Sequence, residues 1–280
     1  MELEVRSVRR PIRQLRKLLK SLPSNPLVKD VQELRKRARR LETIITAYMP
    51  DKKKRNRRLM KTLKPVCKAA GAVRDMDVMA TKARALGSGL RNDSVTLLLE
   101  HLQAMRIESA GKLFEQVKKH GTVARRRLKE FSSEIEGRFE RRNARRTAKT
   151  TGNQLHADAA NKLLEELSCW PALDAENLHA FRIKVKKLRI VLQLAEVAKP
   201  EFAVALEEVK DQVGDWHDWQ QLRMIAQKVL DRRESRTTLE KIVAMESSKL
   251  KQALAGAQAM RMSYLRAKND FTIAEGTNVH

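Results

Sequence analysis

Within residues 178–192, Leu-His-Ala-Phe-Arg-Ile-Lys-Val-Lys-Lys-Leu-Arg-Ile-Val-Leu, the side chains His179, Arg182, Lys186 and Arg189 recur at steps of three and four. Residues so spaced share one face of a helix, and the stretch contains no acid. Leu178, Phe181, Val185, Leu188 and Leu192 form a second stripe at the same steps, so the cations border a core-facing edge. Fixed positive charge on a rigid helix suits oxyanions: guanidinium offers a planar fork matched to phosphate, ammonium a point charge. A basic face that only keeps the protein in solution would explain one such helix equally well. That explanation weakens because the pattern returns.

It returns at Val31-Gln-Glu-Leu-Arg-Lys-Arg-Ala-Arg-Arg-Leu41, where Arg35 precedes Arg182 by 182 − 35 = 147 residues. Here Val31, Leu34, Ala38, Leu41 and Ile45 are the apolar stripe, and Gln32, Arg35, Arg39 and Glu42 the polar row. A second motif follows each copy, Gly71-Ala-Val-Arg-Asp75 and Gly214-Asp-Trp-His-Asp218, displaced by 218 − 75 = 143 residues. Motif pairs in one order at a nearly constant offset indicate internal duplication. The copies are long and diverged, which predicts two lobes and not a solenoid.

Composition bounds the partners. With 59 Lys and Arg against 34 Asp and Glu, the net charge of +25 exceeds what solubility needs and predicts a polyanion: nucleic acid, an anionic membrane or a phosphate polymer. Cys67 and Cys169 give no disulfide framework and suit a reducing compartment. No apolar leader and no run of membrane-spanning length is present, so the sequence predicts a cytoplasmic protein without membrane insertion.

The elements that must carry these rows read as helices, with no sustained alternation of period two anywhere. Helices are expected over 5–22, 27–49 and 59–86, the last interrupted at Pro65 and Gly71. Two more are expected over 92–119 and 122–149, with Gly121 between them. After a polar linker at 147–153 come helices over 154–169, the motif helix behind a cap at Asp174, then 201–213, 216–254 and 257–268, with a break at Gly214. The expected fold is therefore all-α, two antiparallel four-helix bundles: a first domain over 1–150, a second over 151–268, and a frayed tail over 269–280. The first helix carries a basic row of its own, Arg13, Arg16 and Lys20. Lys52-Lys-Lys-Arg-Asn-Arg-Arg58 is the densest basic run, and reads equally as a solvated helix start.

Catalytic chemistry is poorly represented. No His-x₃-His or Cys-x₂-Cys occurs, so neither a metal site nor a cofactor is supported. Asp75 and Asp77 suggest a divalent cation, but Arg74 is a nearer partner; His217 and Asp218 read as structural. Gly87-Ser-Gly89 lacks the strand before it and the Gly-Lys-Ser/Thr after it that a phosphate loop needs. Base readout would want Asn or Gln within the motif helix, and single-strand binding would want aromatic platforms. Trp216 and Trp219 sit at core spacing instead. A polyanion without bases fits best, bound without catalysis.

The four motif blocks together resemble the CHAD family, the conserved histidine α-helical domain, over nearly the whole chain. The resemblance implies two four-helix bundles related by pseudo-twofold symmetry and binding of inorganic polyphosphate through a basic groove. It implies as ligand-binding side chains Arg35, Lys36, Arg39, Arg40, His179, Arg182, Lys186, Lys187 and Arg189, to which the row Arg13, Arg16 and Lys20 is added. It also implies a cytoplasmic location associated with polyphosphate granules. The first copy departs from the family pattern, with Gln32 for histidine and Glu42 for a base, so the second half is expected to hold the ligand more tightly. Nucleic acid is the alternative, weaker polyanion. An enzyme of phosphate polymers using Asp75, Asp77 or Asp218 for a metal is the third reading.

Overall fold

The computed structural model describes residues 2–48, 53–87, 93–144, 160–195, 199–230 and 235–265. Among these there are eight α-helices and no strand, as the missing period-two alternation predicts. In chain order they are α1 (Glu2–Ser21), α2 (Val28–Tyr48), α3 (Lys53–Leu86), α4 (Asp93–Ala144), α5 (160–168), α6 (Leu178–Ala195), α7 (Pro200–Val229) and α8 (Arg236–Tyr264). Among the described residues no helix is long and apolar enough to cross a membrane. The chain divides into two compact units, Met1–Lys149 and Thr150–His280.

In the first unit the stripes anticipated on α1 and α2 are buried: Ile12, Leu15 and Leu19 meet Val31, Leu34 and Leu41, with Leu63 and Val66 of α3 and Leu113 and Leu128 of α4. Three cross-links set α3 and α4 antiparallel. Arg55 reaches Glu134 at 3.3 Å, Arg127 donates to the Arg58 carbonyl at 2.7 Å, and Arg106 meets Asp77 at 2.6 Å. Arg106 also donates to Asn25 Oδ1 at 2.8 Å and to the Pro26 carbonyl at 2.7 Å, so one guanidinium ties the α1–α2 turn to both long helices.

In the second unit the α6 stripe is buried throughout: Leu178, Phe181, Val185 and Leu188 are fully enclosed and Leu192 nearly so. Each such side chain contributes about 1.5–3 kcal/mol by leaving water. Asp174 Oδ1 accepts from the backbone N–H of Glu176 at 2.8 Å and of Asn177 at 2.9 Å, which fixes the turn entering α6. Arg261, almost wholly buried on α8, donates to the carbonyls of Pro171 (2.9 Å) and Trp170 beyond the end of α5. Carbonyls without helical partners are thereby satisfied from a neighbouring helix.

Several expected breaks do not occur. The 52 residues of α4 run straight through Gly121, α3 runs through Pro65 and Gly71, and α7 runs through Gly214. The expected separate helix at 257–268 is the end of α8. These glycines serve close approach. A Cβ built on Gly121 would lie 3.3 Å from the Leu19 carbonyl oxygen of α1, so glycine lets α1 rest on α4. Pro65 forfeits one helical hydrogen bond, but Leu59, Leu63, Val66 and Ala70 on either side are buried and hold the helix in place. The expected linker, the tail and the turn at 49–52 fall outside the described residues.

Gly111 lies on the same helix, and a Cβ added there would meet nothing within 4 Å, which separates the two roles. Gly111→Ala should stabilise by up to about 1 kcal/mol through helix propensity. Gly121→Leu, which forces bulk against the α1 backbone, should destabilise by about 1–3 kcal/mol. Urea denaturation of both variants measures this, and equal shifts would mean that α1 and α4 are not held together at Gly121.

Candidate anion-binding site

The basic row of α6 lies along its seam with α7, and the pairings run antiparallel. His179 and His217 stack at a centroid distance of 4.5 Å with rings inclined by 32°. One turn on, Arg182 Nε donates to the Lys210 carbonyl at 2.9 Å. At the far end Arg189 meets Glu207 at 2.5 Å. Lys210 Nζ pairs with Glu207 and also lies 3.0 Å from Asp211. Each step forward on α6 is thus matched by a step back on α7.

Gly214 explains how Arg182 fits. A Cβ on Gly214 would fall 2.5 Å from one terminal nitrogen of Arg182 and 3.1 Å from its central carbon, so the guanidinium lies flat on bare backbone. The first unit contains a related contact, made by the tip of the guanidinium. A Cβ on Gly71 would fall 2.7 Å from a terminal nitrogen of Arg35. The two glycines and two arginines singled out by sequence spacing therefore act as pairs.

Electrostatics in both seams reflect burial first and neighbouring positive charge second. The imidazole of His179 titrates below its ordinary value because it is part-buried and because His217, Arg182 and Lys186 surround it. Burial, then Arg39, lowers the pKa of Arg35, while Asp75 partly offsets them. Burial pushes the Cys67 thiol up to about 11, aided by Glu42, so it is held protonated. His179 Nδ1 is buried and has no hydrogen-bond partner among the described residues.

The remaining sequence candidates separate by environment. Lys36, Arg39, Arg40 and Lys187 are exposed, Lys186 is half-buried, and Lys36 is only 3.9 Å from Glu33. On α1, Arg13 and Lys20 are exposed and Arg16 is half-buried. Two of the three acids proposed for a metal are engaged with cations: Asp75 with Arg74 at 3.2 Å and Asp77 with Arg106. Among the described residues no three His, Cys, Asp or Glu side chains converge to hold a metal ion. Trp216 and Trp219 are buried, as their spacing predicts.

Sequence reasoning did not single out Glu207 and Lys210, which complete the α6–α7 seam. Counting back along an antiparallel neighbour from the Arg182–Gly214 pair would have found Glu207 opposite Arg189. Carrying the repeat offsets across the chain maps Arg189 to Glu42 and Glu207 to Lys64, both exposed. The signs at this pair of positions are inverted between the two halves.

The CHAD domain model matches residues 7–227, and the chain belongs to that family. Its fold is similar to the crystal structure of the CHAD domain from the plant Ricinus communis, with a TM-score of 0.57 and 14% identity. That likeness covers 91% of this chain and 88% of the other, and at such identity it speaks for the fold alone. No curated protein matches the chain.

Gly214→Ala should displace the Arg182 guanidinium and cost about 1 kcal/mol, the worth of the hydrogen bond to Lys210. In an Arg182→Ala background the same change should be neutral or stabilising, since alanine is the better helix former. A double-mutant cycle by urea denaturation reads the coupling; additive effects would refute the pairing.

Proposed function

We propose that this chain binds inorganic polyphosphate without catalysis, through the cationic rows of α2 and α6, and that the two units are diverged copies of one four-helix bundle. The observation that carries the reading is the docking of both rows by an arginine laid over a glycine, which fixes each row on its helix. A regular array of cations so held matches an anion that repeats along its length. Lys36, Arg39 and Arg40 on α2, with Lys186 and Lys187 on α6, are the side chains assigned to direct contact. Arg35 and Arg182 position the rows. Arg189 contributes when the ligand competes with Glu207, and Arg13, Arg16 and Lys20 extend the basic surface of the first unit.

Burial of Trp216 and Trp219 favours a base-free polymer over nucleic acid, because neither ring is exposed as a stacking platform. A cytoplasmic location with polyphosphate granules accompanies this reading, as does stronger binding by the second unit.

His179 gives the reading a pH signature. Burial, and then its neighbours His217, Arg182 and Lys186, disfavour the cation in the free protein, whereas a bound polyanion favours it. Binding then takes up a proton and strengthens as pH falls through the histidine range, from about 7.5 to 6.

Long-chain polyphosphate should bind more tightly than single-stranded DNA of equal charge, with an affinity that falls steeply with salt. Lys186→Gln with Lys187→Gln should lower the salt slope by roughly 1.5, two contacts' worth. His179→Gln should flatten the pH dependence while the helical content stays unchanged. Fluorescence anisotropy across salt and pH measures all three. Equal affinity for DNA would favour the nucleic-acid reading, and an unchanged pH profile would make His179 structural.

A further inference from the structure

A different cationic cluster occupies the first unit, on helices other than those carrying the α2 row. Between the start of α3 and α4 lies a cleft of about 350 Å³, with Arg55, Arg58, Arg126, Arg127 and Glu130 on its walls. Leu59 and Phe131, both almost fully buried, form its floor. Part of the dense basic run at 52–58 therefore does not simply face solvent. It meets Arg126 and Arg127 across the cleft.

The four arginines divide the work. Arg127 donates to the Arg58 carbonyl at 2.7 Å and to Thr62 Oγ1, and so fixes the wall. Arg55 leans on Glu134 at 3.3 Å and approaches Glu130 at 3.8 Å. Arg58 and Arg126 are exposed, and neither guanidinium forms an ion pair with a carboxylate among the described residues. Two carboxylates, Glu130 on the wall and Glu134 behind Arg55, thus meet four guanidinium groups, which leaves net positive charge for an anion to neutralise. Lys54, Lys61 and Lys129 flank these residues in sequence, yet every lining cation is arginine. That choice suits a ligand gripped by paired donors in a plane, as phosphate oxygens are.

We propose that this cleft binds a small phosphorylated ligand, its phosphate or diphosphate held between Arg58 and Arg126 and any apolar portion resting on Leu59 and Phe131. The volume lies at the lower end of small-molecule sites, and its lining by two facing helices distinguishes it from the single-helix rows assigned to a polymer. The inference is independent of the polymer reading. Ligand oxygens would take Arg55 from Glu130, leaving Glu130 as the group that opposes binding.

Isothermal titration of the full chain with inorganic pyrophosphate, at about 0.15 M salt to screen diffuse attraction, tests the site. Arg58→Gln with Arg126→Gln should weaken pyrophosphate binding by about tenfold or more, the worth of a lost charged hydrogen bond. Lys241→Gln with Lys251→Gln, an equal loss of charge at two exposed positions of α8, should leave it unchanged. Glu130→Gln should tighten it by about two- to fivefold, the scale of an exposed charge pair. Equal weakening by both double variants, or none from the arginine pair, would overturn the proposal. Should the arginine variant fail to fold by circular dichroism, Glu130→Gln decides: unchanged or weaker binding would overturn it.

Discussion

An arginine guanidinium set against a helical glycine is the close contact that both units share. Arg35 covers Gly71 and Arg182 covers Gly214, each at a place where any Cβ would collide with the guanidinium. The contact brings a permanent charge into a helix seam without leaving it fully desolvated. It lets Arg182 reach a backbone carbonyl of α7, and it sets the rotation of the basic helix against its neighbour. Once that rotation is fixed, the apolar stripe faces the core and the outer cations face water. A larger residue under the arginine would disturb packing and presentation together.

Charge is the other constraint. A chain with a net charge of +25 works against its own folding through self-repulsion, and the structure relieves this locally. Acids are spent on the cations nearest the seams and corners: Glu207 on Arg189 and Lys210, Asp77 on Arg106, Glu166 on Lys184. What remains outside is a surface where positive charge dominates. The lowered pKa values of His179 and Arg35 record burial first and the same crowding second.

Much of this was legible in the sequence, because it depends on period. The stripe Leu178, Phe181, Val185, Leu188 and Leu192 predicted its own burial, and Arg35, Gly71, Arg182 and Gly214 were picked out by repeat spacing alone. The role of the glycines was not legible. Gly121 and Gly214 look like helix breaks to any reading of local propensity, since what they accommodate belongs to another helix. For the same reason the row alone could not separate Arg182, engaged with α7, from the exposed Lys187. Identity and spacing along one helix say which side chains share a face; their partners come from a neighbour whose register the sequence does not reveal.

The inverted signs at these positions bear on how a chain with two such similar motif helices avoids confusing them. If α2 docked on α7 in place of α3, Glu42 would stand against Glu207; if α6 docked on α3, Arg189 would stand against Lys64. Both crossed pairings bring like charges together, while the native pairing of Arg189 with Glu207 joins opposites. Apolar stripes so alike in spacing offer little discrimination between right and wrong partners. A reversed pair of part-exposed charges adds a bias of about 0.2–1 kcal/mol against exchanging the two helices.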